Sequence, residues 1–495
     1  MNDNTCTRRD FLKQAGLGIA AAGLGRSVMS EANAAPAAAK SATRPNVLIY
    51  FIDELRADAL GCYGHPFIQT PAIDRIAAQG MRFDRAISNC PLCMPARNCF
   101  FTGQYAGTHG LLSNGPVKTE FPEIAERYRK NPPLHAFGRI LRDAGFEDII
   151  NVGKHHTGFS SEISGFTQHH ETKDKLGAAP PRLPKGSDPK VSRPIVVPGQ
   201  PPHTIIGGTY DRDPSNTHSA HTVEKAMDVL KKQSGDAPWC LRVSINRPHT
   251  PVLAPPPYDT MYADQVRDWE FNDEEFANRT GLVKRWSDAR GFQDISLEDQ
   301  RRARASYFGL TSFVDSQIGK LEQFIANRGL DDNLITIFVA DHGASIGEHG
   351  LQVKGPFDTD DIARVPFLMR YPGRIPAGTA AAALTQIIDI VPTLADLLGV
   401  ETPKTVEGKS LTPVLDNPKA TIHDAIYSDA DWPHGLDAGR RESIRTDDWL
   451  YTRYTEIDER ELFDLNNDPG QTRNIAGDRK EITKRMEARL DAWKA

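Results

Sequence analysis

Two short apolar runs, each closed by acids, constrain the fold of this chain more than any other feature. Asn46-Val-Leu-Ile-Tyr-Phe-Ile52 runs into Asp53-Glu54, and Leu334-Ile-Thr-Ile-Phe-Val-Ala340 runs into Asp341-His342. Runs of this length without polar alternation are buried on both faces, as the strands of a parallel α/β sheet are. Helical spacing lies between them. Val223, Ala226, Met227 and Leu230 recur at helical intervals, and Tyr307, Leu310, Val314, Ile318, Leu321 and Ile325 form a longer stripe that stops at Gly329. Thr70-Pro71 reads as an N-cap followed by proline in the first turn, with Gly80 beyond the helix end. Strands alternating with helices predict a doubly wound sheet, whose ligand sites lie at the carboxyl ends of the strands.

If the two runs are neighbours in that sheet, Asp53, Glu54, Asp341 and His342 converge. Three carboxylates and one imidazole favour Ca²⁺, with Mg²⁺ and Mn²⁺ as the other ions that fit. An acid at a strand end also serves as the N-cap of the next helix, so either pair alone supports both readings.

The segment between them that carries the most chemistry is Asn89-Cys-Pro-Leu-Cys-Met-Pro-Ala-Arg-Asn-Cys-Phe-Phe-Thr-Gly-Gln-Tyr105. Cys90-Pro-Leu-Cys93 by itself reads as a disulfide, a redox pair or half of a metal site. None of these needs Pro95, Arg97, Thr102 and Gly103, and a four-thiolate zinc site would need a second CxxC, which the sequence lacks. Cys93-x-Pro-x-Arg97 followed by Thr102-Gly103 resembles the signature of the type I sulfatases, members of the alkaline phosphatase superfamily. In that family the cysteine is oxidised to formylglycine (3-oxoalanine).

The resemblance extends over roughly residues 45 to 475. Asp53-Glu54-Leu55-Arg56 resembles the family's Asp-Asp-x-Arg, with Glu at the second position, and Thr70-Pro71-Ala72-Ile73-Asp74 is similar to its Thr-Pro-Asn-Ile-Asp. Gly153-Lys154-His155-His156-Thr157-Gly158 matches Gly-Lys-x-His-x-Gly, and Pro248-His249-Thr250-Pro251 matches Pro-His-x-Pro. Asp341-His342-Gly343, Gly347-Glu348-His349-Gly350 and Lys354 match the second metal segment and its lysine. Asp389 to Leu394 and Leu462 to Asn474 resemble C-terminal landmarks. His342, where many members carry Asn, is similar to iduronate-type and choline-type sulfatases and to the phosphonate monoester hydrolases.

What the resemblance implies is an alkaline-phosphatase-like α/β fold: a doubly wound mixed sheet between helices, with a smaller C-terminal α+β subdomain. The expected boundaries are a catalytic domain over 45–400 and a subdomain over 401–495, the latter a short antiparallel sheet with a helix over Ile482–Trp493. The implied reaction is hydrolysis of a sulfate ester of a carbohydrate or an aryl or alkyl alcohol. Cys93, as formylglycine, hydrates to a geminal diol, one hydroxyl of which is the nucleophile. Asp53, Glu54, Cys93, Asp341 and His342 hold one divalent cation, and Arg97 orients the ionised diol. Lys154 and Lys354 pair with the non-bridging oxygens, and His249 protonates the leaving oxygen as general acid. His156 helps the second hydroxyl re-form the aldehyde and expel sulfate. Asn114 joins Lys154, His249 and Lys354 as a residue facing the substrate. Two other readings are a phosphonate monoester or phosphodiester hydrolase with the same nucleophile, and a non-catalytic periplasmic anion-binding protein in which Cys93 stays a thiol or pairs with Cys90.

The rest of the chain sets limits. At 495 residues it holds two or more domains, or one large α/β domain with an appendage. A net charge of −6 without a Lys/Arg cluster argues against a nucleic-acid partner. The six cysteines are too few and too crowded around the motif for a disulfide scaffold. Thr7-Arg8-Arg9-Asp10-Phe11-Leu12-Lys13, the apolar run from Ala15 to Leu24, and Ala32-Asn33-Ala34 read as a twin-arginine signal peptide over 1–34, followed by a linker over 35–44. The apolar run is too short and too rich in Gly and Ala for a stable membrane anchor. The expected location is periplasmic or secreted, and the expected partners are a formylglycine-generating enzyme and the twin-arginine export machinery. Phe159 to Ser219 reads as a surface insertion or the rim of the substrate pocket. Asp259 to Asp299, acidic and Trp-containing, carries the same two readings.

Overall fold

The computed structural model describes residues 44–114, 135–172, 193–198, 204–233, 237–267, 273–355, 357–431 and 438–494. The leader with its twin arginines, Cys6 and Pro180 to Pro184 lie outside them. Eight strands form the main sheet: β1 (Asn46–Ile52), β2 (Met81–Ile87), β3 (Asp148–Gly153), β4 (Gln168–His170), β5 (Trp239–Ile245), β6 (Leu334–Ala340), β7 (Arg364–Arg370) and β8 (Thr379–Gln386). Their order is β8-β2-β7-β6-β1-β5-β3-β4. Only β7 runs against its neighbours β2 and β6. The two apolar runs closed by acids are adjacent central strands: Ile52 stands opposite Ala340 on one side and Ile245 on the other.

β1 shows why such a run needs no alternation. Its even and odd side chains meet different helices. The Tyr50 hydroxyl donates to Glu322 at 2.8 Å, on α5 (Leu297–Asn327). The Phe51 ring meets Phe100 edge-on at 5.0 Å, on α2 (Cys93–Thr102). α1 (Pro71–Ala78) and α4 (His218–Leu230) pack with α5, while α3 (Ala136–Asp143) and α6 (Ile390–Leu398) pack with α2. Both faces are therefore dry, as a doubly wound sheet requires. The α5 stripe from Tyr307 to Ile325 is wholly buried, and the helix stops just before Gly329, whose φ is +61°.

Beyond the main sheet, β9 (Ile426–Asp431), β10 (Arg440–Arg445), β11 (Trp449–Tyr454) and β12 (Arg460–Asp464) form an antiparallel sheet in sequential order. α7 (Lys480–Lys494) lays Met486 and Leu490 against Ile444, Tyr451 and Leu462 of that sheet. Contacts join residues 44–495 into one compact unit. No helix among the described residues is long and apolar enough to cross a membrane.

At three places the structure adds to or decides between readings that the sequence left open. Thr70 is the N-cap residue of α1 and Pro71 follows in its first turn, as expected, but the capping hydrogen bonds come from Asp315 on α5, which accepts the Ala72 and Ile73 N–H groups at 3.2 and 2.8 Å. Cys90 and Cys93 are separate free thiols rather than a disulfide. The described residues between Phe159 and Ser219 contribute to the fold: Gln168–His170 pairs with β3 as the edge strand, and Ile195, Val197 and Ile206 pack with Trp286. Trp286 belongs to the acidic Asp259–Asp299 stretch, which thereby shares in that buried cluster.

Candidate active site

The reacting centre forms where α2 begins against the ends of β1 and β6. All ten residues of α2 are buried, so it is a core helix. Gly103 ends it in the left-handed conformation at φ +67°, where a Cβ would meet Val406 at 2.9 Å. The Thr102 hydroxyl turns back onto the Asn98 carbonyl at 2.6 Å. The Thr-Gly of the signature thus terminates the helix that carries Cys93 and Arg97. These two, four residues apart, share one helix face.

Cys93 opens the helix, with Sγ 3.2 Å from His342 Nε2 and 3.7 Å from Asp53 Oδ1. His342 Nδ1 lies 2.7 Å from the Gly343 carbonyl and donates to it, which turns Nε2 toward the sulfur. One turn further on, the Arg97 guanidinium is wholly enclosed. It donates through Nε to Asp341 at 3.0 Å, through Nη2 to Asp53 at 2.8 Å, and through Nη1 to Ser244 Oγ at 3.0 Å and the Lys154 carbonyl at 3.1 Å. Such a fork fixes the two carboxylates relative to the cysteine.

Lys154 leaves β3 after Gly153, whose φ is +94° and where a Cβ would strike the Ser244 carbonyl at 2.1 Å. Its ammonium reaches Asp53 at 2.5 Å. Lys354 reaches Glu54 at 2.7 Å, and His249 Nε2 stands 3.5 Å from the same Glu54 oxygen. His249 Nδ1, 2.7 Å from the Thr250 carbonyl, donates to it, leaving Nε2 toward the site. His156 is within hydrogen-bonding reach of the Cys93 thiol. Asn114 accepts the Met94 N–H at 2.9 Å, so its oxygen is engaged at the start of α2.

Glu54 holds a left-handed backbone at φ +63°. For a non-glycine residue this costs on the order of 1–3 kcal/mol and persists only where the surroundings enforce it. Here its N–H donates to Asp341 at 3.0 Å and its carbonyl accepts the Tyr307 hydroxyl at 2.7 Å. The carboxylate consequently faces Lys354 and His249.

Ligand atoms of Asp53, Cys93, Asp341 and His342 lie within 4.8 Å of one another, and Asp53, Glu54 and His249 form a second such group. The first is the metal set expected from the sequence without Glu54, and all four members are buried. Their electrostatics are strongly coupled. Burial raises the Asp53 carboxyl, as does Cys93, but Lys154, His249 and Arg97 outweigh them and hold it well below the usual carboxylate range. Burial and the Asp53 charge raise Asp341. Burial opposes ionisation of the Cys93 thiol, yet Lys354, Lys154 and His342 together bring it well below the ordinary thiol value. Three acids (Asp53, Glu54, Asp341) face three bases (Arg97, Lys154, Lys354), so an added divalent cation tips the site toward binding an anion.

The sulfatase family model matches residues 45–400. The chain belongs to the sulfatase family. A second model, N-sulphoglucosamine sulphohydrolase, C-terminal, matches residues 347–495 of this sulfatase. It is 27% identical over 454 residues to an arylsulfatase of Clostridium perfringens, covering 87% of this chain and 90% of the relative. It is 26% identical over 525 residues to an N-acetylglucosamine-6-O-sulfatase of Bacteroides thetaiotaomicron, covering 91% and 86%. The phosphonate monoester hydrolase of Agrobacterium radiobacter shares the fold, with a TM-score of 0.75 at 24% identity over 91% of this sulfatase and 95% of that chain.

The structure brings together Cys93, Arg97, Asp53, Asp341, His342, Lys154, Glu54, Lys354, His249 and His156, from six separate stretches of sequence. Sequence reasoning missed two residues, Ser244 and Arg242, both on β5. Arg242 donates to the Lys154 carbonyl at 3.2 Å. The available signal was an arginine inside the otherwise apolar run Trp239-Cys-Leu-Arg-Val-Ser-Ile245.

Proposed function

We propose that this sulfatase hydrolyses the sulfate ester of a carbohydrate or of an aryl or alkyl alcohol, using Cys93 after its conversion to formylglycine. The observation that carries the reading is the convergence of Cys93, Asp53, Asp341 and His342 beneath Lys154, Lys354 and His249. Asp53, Asp341 and His342, with Glu54 beside them, would hold one divalent cation. With oxygen in place of the Cys93 sulfur the donors are hard enough for Ca²⁺, and Mg²⁺ or Mn²⁺ fit as well. A cation held there would lower the pKa of a hydroxyl on the hydrated aldehyde of residue 93, the proposed nucleophile.

The chain's own residues do the rest. Arg97 keeps the carboxylates and residue 93 in register. Lys154 and Lys354 release their partners Asp53 and Glu54 to pair with the non-bridging oxygens of the ester. His249, as the imidazolium, gives its Nε2 proton to the alcohol oxygen as the S–O bond breaks and keeps its Nδ1 proton on the Thr250 carbonyl. His156, beside residue 93, takes a proton from the second hydroxyl as sulfate leaves.

The N-terminal arginine pair supports maturation in the cytosol followed by twin-arginine export of the folded protein to the periplasm or beyond. A formylglycine-generating enzyme and the export machinery are the partners this requires.

The test has two parts. Mass spectrometry of the tryptic peptide Ala86–Arg97 is expected to show an aldehyde in place of the thiol; an alkylatable Cys93 in exported protein would favour the anion-binding alternative. Side-by-side kinetics on 4-nitrophenyl sulfate and a phenylphosphonate monoester are expected to favour the sulfate. The fold shared with a phosphonate monoester hydrolase supports the opposite preference as the second reading, and a higher kcat/KM on the phosphonate would establish it.

A further inference from the structure

Arg242 sits in the middle of β5, a strand buried along its whole length, and has no solvent exposure at all. A guanidinium in such a place is costly unless a carboxylate neutralises it. Among the described residues none lies within 4.0 Å, and Nε and Nη2 have no hydrogen-bond partner. The surroundings compensate only in part. The guanidinium carbon lies 4.3 Å from the Phe51 ring centre and 5.0 Å from that of Phe101. Nη1 donates to Asn151 Oδ1 at 2.8 Å and to the Lys154 carbonyl at 3.2 Å. Burial and the neighbouring Arg97 press its pKa well below the usual arginine value, against the opposing pull of Asp341 and Asp53.

What Arg242 touches leads to the reacting centre. Arg242 and Ser244, two apart on the strand, share a face. Ser244 Oγ accepts from Arg97, and the Lys154 carbonyl accepts from both Arg97 and Arg242. Asn151, which accepts from Arg242, donates to the Gly153 carbonyl at 3.1 Å. The turn that delivers the Lys154 ammonium to Asp53 is thus clamped from two sides, by Arg97 and by Arg242. An apolar side chain of similar length would serve the core at lower cost, so fold stability does not account for the arginine.

We infer that Arg242 is a positioning residue for the hydrolysis: it fixes the turn that delivers Lys154 to the reacting centre. The inference rests on the proposed sulfate-ester reaction. The experiment compares Arg242→Met and Arg242→Lys in the full chain, with 4-nitrophenyl sulfate as substrate. For Arg242→Met, kcat is expected to fall about 10-fold or more, while KM rises no more than about threefold. Tm is expected to equal or exceed the parent's, because an unpaired buried charge has gone. Arg242→Lys, which keeps the charge without the fork, is expected to lie between. In a Cys93→Ala background, which cannot turn over, calorimetric affinity for inorganic sulfate is expected to weaken about threefold on adding Arg242→Met.

An unchanged kcat in Arg242→Met, or a lowered Tm with kcat per folded molecule intact, would overturn the inference. If Arg242→Met does not fold, an Arg242→Lys kcat equal to the parent's overturns it instead. A parent without activity on sulfate esters would overturn the functional reading alone, since sulfate binding by the Cys93→Ala pair still reports on Arg242.

Discussion

Helix α2 presents a cysteine to a histidine from another element twice. At its first residue Cys93 meets His342 at 3.2 Å, and less than two turns later Cys99 meets His109 at 3.3 Å. Both pairs are buried, yet their electrostatics are opposite. Cys93 is brought well below the ordinary thiol value, whereas burial pushes Cys99 well above it, assisted by Cys90 and Asp429. Burial depresses both histidines, but Asp341 and Cys93 reverse this at His342 and lift it to about 9. At His109 only a backbone hydrogen bond opposes it, and burial together with His135 takes it down to about 3. A Cys–His contact is therefore not in itself a reactive pair. The charges reaching in from Lys154, Lys354 and Asp341, all on other elements, make one end of the helix chemical and leave the other structural.

The largest effect should come from removing each thiol in turn. Cys93→Ala is expected to abolish turnover, a loss of at least about 10³-fold, with Tm close to the parent's. Cys99→Ala should keep kcat within about twofold and cost on the order of 1–2 kcal/mol of stability, through lost packing and an unpaired His109 Nε2. Assays of initial rate beside urea unfolding separate the two. Comparable losses of kcat in both variants would break the contrast between the two ends.

The next effect isolates the charges that distinguish them. Lys154→Ala and Lys354→Ala each remove one cation that lowers the Cys93 thiol and faces the proposed sulfate oxygens. Each should lower kcat by about 10²–10³-fold, the scale for one such donor. Steady-state kinetics on 4-nitrophenyl sulfate measure this. A loss confined to KM would instead mean that the lysine binds ground state and transition state alike.

How much of this was open to the sequence depends on whether the determining contact is local. The strands β1 and β6 and their terminal acids were legible because an apolar run and the acid that closes it are contiguous. The helix that carries Cys93 and Arg97 was equally legible, since Thr102-Gly103 is its own stop signal. Directions of side chains were not. Glu54 lies beside Asp53 in sequence, yet its carboxylate is turned to Lys354 and His249 by bonds from Asp341 and Tyr307. The cap of α1 comes from Asp315, more than two hundred residues away, and no local pattern encodes it. Arg242 was visible only as an anomaly, a charge in an apolar strand, whose meaning depends on the Lys154 turn that pairing with β3 places beside it.

The smallest effect concerns the quiet end of α2 and is read in pH dependence. His109 Nδ1 accepts the Leu111 N–H at 3.2 Å, so it carries no proton, and the Nε2 proton points to Cys99. Protonation of the folded protein at Nδ1 would break that bond inside a dry cluster. The imidazole therefore stays neutral down to about pH 3, whereas in the unfolded chain it takes up a proton near its ordinary value of about 6.5. Between these limits the unfolded state binds more protons than the folded one, so stability rises with pH. The His109 contribution is complete above about pH 6.5 and is lost below it, by up to about 1.4 kcal/mol for each pH unit. Replacing His109 by Gln removes the titrating group while keeping an acceptor for Leu111. His109→Gln should be the less stable protein at pH 8, yet its Tm should fall less steeply from pH 6.5 to 4.5 than the parent's. Parallel acid slopes would mean that His109 is protonated in the folded state after all, and that the two ends of the helix differ less than their surroundings indicate.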